Sequence, residues 1–119
     1  MSDFVVKNGL QLGGSVKGSV GTVTGNATLD LSTGSAFEVT PTADVTFAFS
    51  NPPAAGNAQS FTVLLAPSAT VTFTYPASVK WPSGTTPTAP ADGETDLLTF
   101  YTDDGGTTYY GIQRGDNMS

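Results

Sequence analysis

The side chains in this sequence that could carry acid–base chemistry are carboxylates. Glu94, Asp96, Asp103 and Asp104 form the densest group in a chain with ten acids and no histidine. A paired-carboxylate hydrolase needs two such groups about 5 to 10 Å apart across a groove. Asp103 and Asp104, however, open the run Asp103-Asp104-Gly105-Gly106, a setting in which aspartate serves its own turn. Cysteine is absent as well. Ser/His/Asp and Cys/His nucleophiles, thiolate or imidazole zinc sites and disulfide staples are therefore excluded. Calcium takes roughly six to eight oxygens, and neither an EF-hand nor a glycine-aspartate repeat spacing occurs here. The acids read as solvated turn and loop residues, so no catalytic residue, metal ligand or cofactor is expected.

Aromatic residues offer the other recognisable chemistry. Lys80-Trp81-Pro82 contains the single tryptophan, and Tyr75 lies six positions before Trp81. Flat rings of this kind stack on sugars or anchor protein contacts, which makes Tyr75 and Trp81 candidate glycan-binding residues. The plainer reading has Trp81 closing one end of a core, since tryptophan is usually largely buried. Arg114-Gly115-Asp116 and Asn26-Ala27-Thr28 spell short recognition patterns. Matches of that length arise often by chance, and glycosylation requires a secretory route. The glycine pairs lack the strand-to-helix context and the lysine of a phosphate loop.

Ten acids against Lys7, Lys17, Lys80 and Arg114 give a net charge of −6 over 119 residues. A nucleic-acid footprint needs clustered cations, and these four are scattered, so nucleic acid is not an expected partner. Apolar runs of only a few residues fall far short of a membrane span. Met1-Ser2-Asp3-Phe4 lacks the basic start and apolar stretch of a secretory signal. The expectation is a protein made in the cytoplasm that does not engage a membrane.

Fourteen glycines and eight prolines punctuate a chain rich in Thr, Val, Ala, Ser and Phe. That mixture opposes helix and favours short strands joined by tight turns. Period-two alternation recurs in Val45-Phe47-Phe49, Phe61-Val63-Leu65 and Val71-Phe73-Tyr75. Further strands are expected over 27–31, 36–40, 95–102 and 107–113, with Asp103 to Gly106 as the clearest hairpin turn. The pattern predicts an all-β domain over 27–119, a β-sandwich that is jelly-roll-like. Residues 1–26 are small, polar and glycine-broken apart from Phe4, Val5, Val6, Leu10 and Leu12. Such a segment cannot build a core alone. It reads as an extended N-terminal arm in which those five residues dock on a partner.

Five runs carry a family resemblance: Ala-Thr-Leu-Asp-Leu-Ser-Thr-Gly (27–34), Phe-Glu-Val-Thr (37–40), Thr-Phe-Ala-Phe-Ser-Asn-Pro-Pro (46–53), Tyr-Pro-Ala-Ser-Val-Lys-Trp-Pro-Ser-Gly (75–84) and Asp-Leu-Leu-Thr-Phe-Tyr-Thr-Asp-Asp-Gly-Gly-Thr-Thr-Tyr-Tyr-Gly (96–111). Together they resemble a module of tail-fibre and other virion proteins of tailed bacteriophages, notably marine phages and cyanophages. The likeness covers about three quarters of the chain. Tyr75 departs from it, standing where the module has Trp, as does the polar ending Gln113 to Ser119.

The resemblance implies a non-enzymatic structural protein at a virion surface. A short arm followed at once by one compact domain fits capsid decoration better than a fibre with a shaft. The expected partners are the major capsid protein or other virion proteins, with the chain itself a homotrimer. The alternative is a short fibre or receptor-binding module that recognises host surface glycans.

Overall fold

The computed structural model describes residues 26–118. The segment expected to be a docking arm, with Phe4, Val5, Val6, Leu10 and Leu12, lies outside the described residues. From Ala27 the chain forms β1 (Ala27–Asp30), β2 (Ala36–Val39), β3 (Val45–Ser50), β4 (Gln59–Leu65) and β5 (Phe73–Thr74). It continues through β6 (Val79–Lys80), a 3-10 turn (Pro82–Gly84), β7 (Asp96–Thr102) and β8 (Tyr109–Gly115). The fold is all-β, in two sheets: β1-β3-β5 and β2-β4-β7-β8-β6.

Alternation places the greasy positions as expected. Val45 and Phe47 in β3, Phe61, Val63 and Leu65 in β4, and Leu98 and Phe100 in β7 are buried, while Thr46 and Ala48 face water. Residues from both sheets join one hydrophobic cluster. Phe49 of β3 meets Phe61 at 5.1 Å and Phe100 at 5.2 Å between ring centroids, which ties the first sheet to the second. Full burial of a ring such as Phe61 or Phe100 stabilises by about 2–3 kcal/mol.

The path between the strands differs from a jelly roll, whose neighbours run antiparallel. Here β1 pairs with β3, β2 with β4, and β3 with β5, all in parallel. Parallel neighbours require a crossover, and each crossover is a strand of the opposite sheet. The first five strands therefore wind as a coil, stepping from one sheet to the other and advancing by one strand per turn. Period-two alternation fixes which side chains point inward. It carries no information on the direction of the neighbouring strand, so the coil was not visible in the pattern.

Antiparallel pairing begins with β4 against β7 and continues in the β7–β8 hairpin. Its turn is the one expected at Asp103 to Gly106. Asp104 accepts the Thr108 backbone N–H at 2.9 Å, and Gly105 and Gly106 have φ of 72° and 82°. A side chain at Gly106 would strike Pro52 and the Tyr109 hydroxyl, each 2.7 Å from an added Cβ. Glycine is required there by space as well as by backbone angle.

Candidate functional site

Asp96 begins β7 on the inward side and is 1% exposed. Its carboxylate accepts from Gln113 Nε2 at 3.0 Å and from the Asn117 backbone N–H at 2.9 Å, tying the chain after β8 back to the start of β7. Burial pushes its pKa above the ordinary carboxylate value, and nearby Asp116 and Glu94 add to this, while the two hydrogen bonds oppose it. Glu94 accepts the Ala91 backbone N–H at 2.9 Å within its own turn. Asp103 accepts the Tyr101 hydroxyl at 3.2 Å. Asp104 is held below the ordinary carboxylate value chiefly by the Thr108 N–H. Each of these four acids thus holds backbone or a neighbouring side chain in place. Among the described residues no group of three or more His, Cys, Asp or Glu side chains could hold a metal ion.

The structure brings Tyr75 and Trp81 together. Tyr75 stacks on Phe47 at 5.4 Å, and Trp81 meets it edge-on at 5.0 Å. Trp81 also packs against Phe100 at 5.6 Å. Gly111 makes this seat possible, because an added Cβ would lie 2.7 Å from the indole ring and 3.0 Å from Phe100. Burial, and after it the charge of Asp96, push the Tyr75 phenol well above its ordinary value. Both rings are half-buried and pack on the main core, which accords with Trp81 closing one end of it.

Two open hollows flank Trp81. One, of about 710 Å³, is lined by Tyr75, Pro76, Lys80, Trp81 and Thr86 among others. The other, of about 470 Å³, lies between Lys80, Trp81, Tyr101, Tyr110 and Ile112. The second opens on a surface that the alternation argument does not single out. Tyr101, Tyr110 and Ile112 are 38%, 56% and 43% exposed and share the outer face of the five-stranded sheet. Their signal in the sequence is apolar residues at both parities, Leu97-Leu98 with Phe100-Tyr101 and Tyr109-Tyr110 with Ile112. That is the pattern of strands covered on two sides.

No family model, curated relative or solved structure matches this chain.

Proposed function

We propose that this chain is a non-enzymatic structural protein of a tailed-phage virion that decorates the capsid, docking on the shell through its N-terminal arm and bridging capsomers as a homotrimer. In this reading the two sheets form a sandwich that stands on the shell. The observation that supports it is where the arm meets the fold. Asn26 leads directly into β1, an edge strand of the three-stranded sheet. Among the described residues no strand pairs with the outer side of β1, and an open strand edge is where a segment of a shell protein or of the arm itself could add. Phe4, Val5, Val6, Leu10 and Leu12 are the apolar residues that would dock. The structural use made of Glu94, Asp96, Asp103 and Asp104 agrees with a protein whose work is contact.

Deleting residues 1–14 should leave a folded domain, with unchanged far-ultraviolet circular dichroism, that no longer sediments with particles. Undiminished attachment of the truncated chain would remove the arm from the account.

A second reading, a short fibre or receptor-binding module for host glycans, draws on the hollow beside Tyr75 and Trp81 with Lys80 at its wall. In that reading Trp81→Ala lowers glycan-array binding and host adsorption by tenfold or more, on the order of one lost stacking contact. Equal adsorption by a folded variant counts against it.

A further inference from the structure

Among the described residues the large apolar side chains left exposed are not scattered. Tyr101, Tyr110 and Ile112 stand on the outer face of the five-stranded sheet. Met118, 54% exposed, lies beside Gly115 and Leu97 at one end of that face. Cross-strand register continues the surface through Thr99 and Thr62 in one row and Leu97 and Leu64 in the next. With four strand spacings of about 4.8 Å and some seven residues of length, the face is roughly 20 Å square. Covering it on two copies removes on the order of 1,000 Å² from water, about the lower bound for a specific interface.

The charges on this face have a direction. Lys80 and Arg114 are the two cations of residues 26–118 in a chain of net charge −6. Lys80 pairs in register with Tyr110, and Arg114 follows the inward-facing Gln113, so both sit on the β6–β8 side. Glu38 lies on the opposite margin, in β2, pointing away from the buried Phe37 and Val39. Register puts Glu38 level with Leu64, Leu64 level with Leu97, and Leu97 level with Gly115, next to Arg114. At that height β6 has already ended, so Arg114 stands on the sheet's edge. One row of the face thus has an acid at one end, a base at the other and leucines between.

We infer that the outer face of the five-stranded sheet is where copies of this chain meet, around an axis parallel to its strands, with Glu38 of each copy against Arg114 of the next. Rotation about such an axis keeps every row at its own height, so the acidic margin of one copy arrives at the basic margin of its neighbour in the same row. An axis across the strands would carry Glu38 to the far end of the sheet instead. Tyr101, Ile112 and Leu97 then line the centre, where water is excluded. This takes self-association from the function proposed above and adds its face and its axis; it does not depend on a virion.

Sedimentation of the full chain over a range of concentrations tests it. The expected species is a trimer that Ile112→Asp weakens about tenfold or more without changing the unfolding temperature of the separated chain. Should Ile112→Asp fail to fold, Tyr110→Ser, at the most exposed of the three sheet positions, carries the test. Glu38→Arg and Arg114→Glu should each weaken association several-fold, and the double exchange should restore it. A dimer with these same sensitivities supports the face and ends the trimer. A chain that stays monomeric, or an oligomer indifferent to Ile112 and Tyr110, overturns the inference. So does a monomer that uses this face to bind a glycan or another protein.

Discussion

Asp96 shows how a residue that could do chemistry is committed to structure. It is buried and accepts hydrogen bonds from Gln113 in β8 and Asn117 after it, yet burial raises its pKa above the unfolded-chain value of about 3.9. A carboxyl group raised in the folded state favours folding at low pH. That contribution is lost as pH climbs through the unfolded value toward the folded one. Asp96→Asn keeps an acceptor for the Asn117 N–H and removes the charge. Denaturant unfolding between pH 4 and pH 7 should therefore show the variant gaining on the wild type as pH rises. A difference that is flat or reversed across that window would mean that Asp96 is not held against its charge. Asp96→Ala, which leaves the Gln113 amide and the Asn117 N–H without their acceptor, should cost about 1–3 kcal/mol at either pH. Nothing in the residue order 94–96 distinguishes this tie from a catalytic pair; what distinguishes it is the return of the chain at Asn117, a contact across 21 residues.

At the scale of elements, the β7–β8 hairpin was legible and the coil before it was not. Asp104, Gly105 and Gly106 announce their turn through local chemistry, and the structure uses each as its type suggests. Asp104 is held low by the Thr108 N–H, the opposite case to Asp96. Its contribution is present above the unfolded value and fades as pH falls through the folded one. Asp104→Ala should accordingly be most damaging near neutrality and converge on the wild type at strongly acid pH, as read from thermal unfolding at several pH values. An equal loss at every pH would assign its role to packing. The strands of the coil were legible one by one, because Val45-Phe47 and Phe61-Val63-Leu65 alternate cleanly. Their parallel pairing depends on contacts some 20 residues apart, such as Ala27 with Phe47, and alternation is silent about those. The two-residue β6 is too short to leave a period at all, and it exists because Val79 and Lys80 find the edge of β8.

At the scale of the molecule, the surfaces that matter differ in how they could be found. The arm stood out because its composition cannot sustain a core. Trp81 stood out as a single residue type, and the structure gives it a seat over Gly111 against Tyr75 and Phe100. The outer face with Tyr101, Tyr110 and Ile112 emerged only once register placed β4, β7 and β8 side by side. In the proposed reading the arm before β1 and the apolar face of the other sheet would make contacts in two directions, one toward a shell and one toward copies of the chain. Electron microscopy of phage particles assembled in the presence of this chain tests whether it is a capsid-decorating virion protein. Density for this domain is expected on the capsid, over hexamers or at three-fold positions, with the arm running into the shell. Density confined to the tail, or particles that lack the chain altogether, would contradict it.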